Sequence, residues 1–64
     1  MHPATKEMLK YFTYEHLPEH LQKISKPFCD LANEFAAMDL NGPEVTVALR
    51  KLLEAKDCAV RAAL

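Results

Sequence analysis

Sixty-four residues allow one small domain. A chain this short buries a poor fraction of its surface by itself. Half of the residues are apolar, more than a lone two-helix hairpin can hide, so self-association is the expected remedy, ahead of a metal or a disulfide. The formal net charge of −1, with acids and bases interspersed, argues against a DNA or RNA polymer as partner, and no apolar run is long enough for a membrane span.

Residues 1–10 carry a weak signal, with Thr5 placed to cap a short turn containing Met8 and Leu9. Met1-His2-Pro3 lacks the basic and apolar regions of a signal peptide, so a cytosolic setting is expected. Tyr11-Phe12-Thr13-Tyr14 follows, with aromatic and β-branched side chains that favour extended backbone. The tract runs to Leu17, and the residue before a proline avoids the α region. Residues 11–17 are therefore expected to form an extended stretch, ending an N-terminal arm over 1–17.

Pro18 and Glu19 suit the start of a helix. Leu21, Ile24, Phe28, Leu31, Phe35 and Met38 then recur at 3-4-3-4-3 spacing, a heptad-like seam. A first long helix is expected over 18–39. Pro27 interrupts the backbone bonding. The seam keeps phase across it, which favours one kinked helix over a restart capped by Ser25. Asp39 to Pro43 forms a turn whose Gly42 tolerates unusual φ.

A second helix is expected over 43–63. Val45, Ala48, Leu52, Ala55, Ala59 and Ala62 make one apolar stripe; Leu49, Leu53 and Val60 make another. Two stripes call for two neighbours. The expected chain offers one other helix, so the second neighbour is expected to be another copy. Arg50–Glu54 and Asp57–Arg61 stand at i,i+4 and are expected to pair on a charged, solvated face. The short turn makes the two helices antiparallel neighbours. The fold class is thus all-α: an N-terminal arm and an antiparallel two-helix hairpin in one domain, 1–64, assembled as a homo-oligomer. Cys29 and Cys58 come out about five residues out of level, or roughly 7–8 Å along the axis, too far for a good disulfide. They are expected as buried free thiols.

His16-Leu17-Pro18-Glu19-His20 matches the H-x-x-E-H zinc-peptidase pattern. That chemistry needs both histidines on one helical face, and Pro18 stands between them at a helix start. A third ligand is also missing, so no metal is expected. Ser25, Thr46 and the cysteines have no evident His/Asp partner. With one glycine the chain has no phosphate loop. No catalytic residue, no cofactor and no enzymatic activity are expected. The aromatic arm is the sharper feature. Aromatic rings stack on bases, each stack worth about 1–3 kcal/mol. Gln22 is placed to read a base edge and Lys26, one turn later, to meet a phosphate. The competing reading is that the arm seals the core.

Phe12-Thr13-Tyr14-x-x-x-Pro18, then Gln22, then Leu31-Ala32, resembles the opening of the phage helical-hairpin domain shared by anti-CBASS and anti-Thoeris sponges. Gly42-Pro43-Glu44, Ala48-Leu49-Arg50-Lys51-Leu52, Glu54-Ala55, Ala59 and Arg61-Ala62-Ala63 resemble that family's second helix. The resemblance covers roughly residues 11–64. It departs at Glu15, where the family often has histidine, and at Pro27, where the family continues a plain helix. The long N-terminal extension of members that add ADP-ribose-type signals is also lacking.

The resemblance implies a non-enzymatic sponge in the cytoplasm of an infected bacterium. Such a protein binds cyclic oligonucleotide messengers without cleaving them, so the host effector stays inactive. It implies a homo-hexamer, with cyclic dinucleotides held between protomers by an arm aromatic and a nearby polar or basic residue. Carried over by position, the cyclic-dinucleotide contacts are Tyr11, Phe12, Tyr14, Gln22 and Lys26. Thr46 and Arg50 are the implied contacts for a cyclic trinucleotide near a threefold axis. The alternative, from a different class, is a small self-associating structural or adaptor hairpin with no ligand.

Overall fold

A computed structural model describes residues 3–64; Met1 and His2, part of the expected arm, lie outside the described residues. The described residues are all-helical, with three α-helices packed together: α1 (Pro3–Leu9), α2 (Glu19–Ala37) and α3 (Pro43–Ala62). A 3₁₀ turn, Lys10–Phe12, extends α1.

The N-terminal segment departs from expectation. Residues 3–12 are helical, and extended backbone is confined to the short link that Thr13 opens at φ −62°, ψ 146°. Thr5, Met8, Leu9 and Phe12 fall at i, i+3, i+4 and i+7, one helical stripe. Thr5 and Phe12 are buried, and Met8 and Leu9 pack against the core. Burying that stripe outweighs the β preference of the aromatic tract, which spans only about 1 kcal/mol. Thr5 lies inside α1 and does not cap it.

Pro18 precedes α2 with φ −56° and ψ 151°, and Glu19 opens the first turn. Helix α2 runs unbroken through Pro27. Its inward stripe keeps Leu21, Ile24, Phe28 and Phe35 of the expected seam but not Leu31 or Met38. Leu21, Ser25 and Ala32 are buried, and Ile24, Phe28 and Phe35 are half-buried beside them. Leu31 and Met38 face out, 48% and 58% exposed. The helix is rotated so that its small residues face the core. Small side chains let neighbouring backbones approach, which explains why two long apolar residues were displaced to the surface.

Asp39 (φ 58°) and Gly42 (φ 103°) turn the chain into α3. Both angles lie in the left-handed region, which asparagine, aspartate and above all glycine tolerate. Pro43 begins α3, where its missing donor is not needed.

The core centres on Phe12, Ala32 and Leu49, all fully buried and drawn one each from the 3₁₀ turn, α2 and α3. Leu52 and Leu53 join Phe28 and Phe35 around it. On α3 the Leu49 side turns inward, while Ala48, Ala55 and Ala62 are exposed. The expected single intrachain neighbour of α3 is corrected: α1 and its 3₁₀ turn pack against α3 as well as α2. A second neighbour is therefore supplied within the chain. Among the described residues no helix is long and apolar enough to cross a membrane.

Candidate functional site

The 3₁₀ turn sets two consecutive aromatic rings in opposite environments. Phe12 is fully buried against Ala32 and Leu49, whereas Tyr11 is 58% exposed. Consecutive residues on a tight helical turn cannot share a face. Anchoring Phe12 therefore holds the Tyr11 ring outward. Of the three rings assigned to ligand contact, Phe12 contributes core packing here, Tyr11 is exposed as a stacking platform, and Tyr14 is half-buried.

Tyr14, Gln22 and Lys26 form a second group. Gln22 lies in the first turn of α2, and its Nε2 donates to the carbonyl oxygens of Leu17 at 2.8 Å and Glu15 at 3.2 Å. The amide thus ties the 13–17 link to the helix, and its donors are engaged in that structural task. Lys26 follows one turn later. Its Nζ donates to Asp30 Oδ2 at 2.9 Å, an exposed pair. That hydrogen bond, then the Asp30 charge, raises the Lys26 pKa, and Tyr14 adds to the rise. Exposed pairs of this kind hold their partners weakly.

Thr46 and Arg50 sit one turn apart on α3. Thr46 is half-buried and lines a groove of about 580 Å³ at the α2–α3 turn, with Thr5, Phe35, Asp39 and Asn41. Arg50 is exposed and is not part of that lining. The expected Arg50–Glu54 and Asp57–Arg61 pairs do not form. Lys51 pairs with Glu54 at 3.9 Å and Lys56 with Asp57 at 2.9 Å. Neighbouring lysines reach the same carboxylates, and the arginines are left without a carboxylate partner among the described residues.

A second groove, of about 450 Å³, lies where the 3₁₀ turn and the 13–17 link meet the last turns of α3. Its polar lining includes Lys10, Tyr11, His16, Lys56, Asp57 and Arg61. Of these, only Tyr11 was assigned to a ligand from the sequence. Asp57 and Arg61 were read as a solvated stripe, and spacing along α3 does not show that its last turns face Tyr11. The β reading of the aromatic tract hid the turn that brings them together.

His16 lies in the turn before α2 and His20 in its first turn, so the two do not share a helical face. Ser25 Oγ is fully buried with no hydrogen-bond partner among the described residues. Cys29 is half-buried, and desolvation raises its thiol pKa, with Asp30 and Glu15 adding to the rise. An activated thiol needs the opposite shift. Both cysteines are free, but Cys58 is exposed rather than buried as expected.

No family model, no curated protein and no solved structure matches this chain.

Proposed function

We propose that this chain is a non-enzymatic phage sponge that binds and sequesters cyclic oligonucleotide messengers, blocking CBASS-type defence in the cytoplasm of an infected bacterium. The observation that carries the reading is the Tyr11 ring, held in solvent by the burial of Phe12. An exposed, positioned aromatic ring gives a base a π-face. Lys26, whose ion pair is with the exposed Asp30, is a cation suited to a phosphate.

In this reading α2 and α3 are the two arms of an antiparallel hairpin, and six copies assemble around the ligands. Leu31, Met38, Leu40 and Val47 support it, because all are more than 40% exposed and apolar. Such residues are normal singly; gathered into one patch they are what an interface between copies uses. Cyclic dinucleotides lie between protomers against Tyr11, Tyr14 and Lys26. Gln22 positions the link that carries Tyr14. Cyclic trinucleotides take a separate place near Thr46 and Arg50, where symmetry multiplies a few cations.

Calorimetry with 3′,3′-cyclic GMP–AMP and related cyclic di- and trinucleotides tests the proposal. Saturable binding with the ring recovered uncleaved supports it. No binding across the panel, with the oligomer intact, leaves the structural or adaptor hairpin. That second reading is favoured by the same exposed apolar residues and needs no ligand.

A further inference from the structure

The groove beside Tyr11 concentrates positive charge on a chain that has little to spare. It takes three of the eight lysines and arginines but one of the nine acidic residues, on a protein of net charge −1. The three cations differ in how they are held. Lys10 pairs with Glu7 at 3.1 Å, and both side chains are well exposed. Lys56 pairs with Asp57 at 2.9 Å, and its side chain is only 14% exposed. Arg61 has no carboxylate partner among the described residues; its Nη2 lies 3.4 Å from Cys58 Sγ. A thiol is a weak acceptor. Most of the donor fork of Arg61 is therefore uncommitted, and that fork matches a phosphate.

We propose that Lys56 and Arg61, with Lys10, form a phosphate subsite in this groove, so that a nucleotide ligand places its ring against Tyr11 and a phosphate against the C-terminal turns of α3. The partly desolvated Lys56 ammonium strengthens the attraction, since charges interact more strongly away from bulk water. Two effects oppose it, and the first is the Asp57 carboxylate, which lines the same groove and must give up Lys56 to the phosphate. The second is the C-terminal end of the helix, whose partial negative charge disfavours an anion weakly at an exposed site. Three cations stand against that one carboxylate, and charge-assisted hydrogen bonds from the Arg61 fork are stronger than the pull of a helix end. The apolar edge of Val60 completes the wall beside Arg61. The assignment to a nucleotide rests on the sponge reading; the assignment to a phosphate rests on the groove alone.

Two probes separate those claims. Inorganic pyrophosphate is titrated into ¹⁵N-labelled protein at constant ionic strength, and 3′,3′-cyclic GMP–AMP is titrated in parallel. The expected result is saturable shifts at Lys10, Lys56 and Arg61 with pyrophosphate. Arg61→Gln weakens pyrophosphate binding at least tenfold, and Arg61→Lys restores part of it. Lys56→Gln does the same, with the far-ultraviolet circular dichroism spectrum as the check on folding. Shifts that fall elsewhere, or an affinity unchanged in both glutamine variants, overturn the subsite. If pyrophosphate lands here and no cyclic dinucleotide binds, the subsite stands and the sponge reading falls. If cyclic dinucleotide binds while pyrophosphate leaves the groove undisturbed, the sponge reading stands and the subsite falls.

Discussion

Phe12 and Tyr11 are consecutive residues with opposite fates: Phe12 has no exposed surface and Tyr11 has 58% of its surface in solvent. The first ring fixes the direction of the second. Their substitutions should therefore separate folding from binding. Phe12→Ala is expected to cost about 3–5 kcal/mol, comparable with the whole stability of a domain this size. Thermal melting should show a lost or barely cooperative transition. Tyr11→Ala should leave the melting temperature within a few degrees and abolish cyclic-dinucleotide binding. A well-folded Phe12→Ala protein would contradict the burial; undiminished affinity in Tyr11→Ala would contradict the stacking role.

Gln22 tests the link between the N-terminal segment and α2. Its Nε2 donates to two backbone carbonyls, those of Leu17 and Glu15. Each such bond contributes about 0.5–1.5 kcal/mol net. Gln22→Ala should lower the melting temperature by roughly 4–8 °C for each kcal/mol lost. Gln22→Glu should be worse than alanine, because it sets a carboxylate against two carbonyl oxygens. Equal melting of the wild type and both variants would show that the amide ties down nothing.

The helical character of the chain was legible in the 3-4 spacing of apolar residues, but the face each helix buries was legible only in part. Leu31 and Met38 fit the apolar seam as well as Phe28 and Phe35 do, yet they lie outside. Periodicity registers apolar positions; it does not register that Ser25 and Ala32 let neighbouring elements come closer. The N-terminal helix was hidden for a related reason. Thr5, Met8, Leu9 and Phe12 follow helical spacing, but the aromatic tract has β preference, and only the core on α2 and α3 decides between them. Tyr11 was recognisable from chemistry alone. Lys56 and Arg61 were not, because their place beside Tyr11 depends on that same N-terminal turn.

Leu31 and Met38 make the assembly testable without disturbing the core. Both are about half exposed, and surface substitutions of this kind usually change stability by no more than about 0.5 kcal/mol. Leu31→Glu with Met38→Glu should shift the mass from light scattering from oligomer toward monomer, with helical content unchanged. A wild-type chain that is monomeric at micromolar concentration would remove the hexamer. An oligomer untouched by both charges would place the interface elsewhere, and the exposed alanines of α3 would be the next face to probe.

The two thiols should react at different rates. Cys58 is exposed, while Cys29 is half-buried with a pKa raised chiefly by desolvation. Thiolate is the reactive form, so at pH 8 a disulfide reagent should label Cys58 first, as peptide mapping would show. The sign for stability follows from the raised value. The folded chain holds the Cys29 proton more tightly than the unfolded chain. This contribution is fully present below the ordinary thiol value and is lost as pH rises through the folded one. Alkaline titration should therefore lower the melting temperature more in the wild type than in Cys29→Ala. Labelling of Cys29 ahead of Cys58 would contradict the assignment.

Ser25 is the place where removing a polar group should help. Its side chain is fully buried, and its Oγ has no hydrogen-bond partner among the described residues. A buried hydroxyl without a partner costs about 1–3 kcal/mol. Alanine keeps the small volume that lets α2 approach its neighbours and has a better helix propensity. Ser25→Ala should therefore raise the melting temperature by several degrees, using the scale of about 4–8 °C per kcal/mol. Ser25→Val should not, because its extra methyl groups must fit a site already closed to solvent, and overpacking costs about 1–3 kcal/mol. A lower melting temperature in Ser25→Ala would mean that the hydroxyl has a partner after all, a bound water or a group from another copy. Repeating the melt across a hundredfold range of protein concentration separates those two, since only a partner from another copy makes the loss depend on concentration.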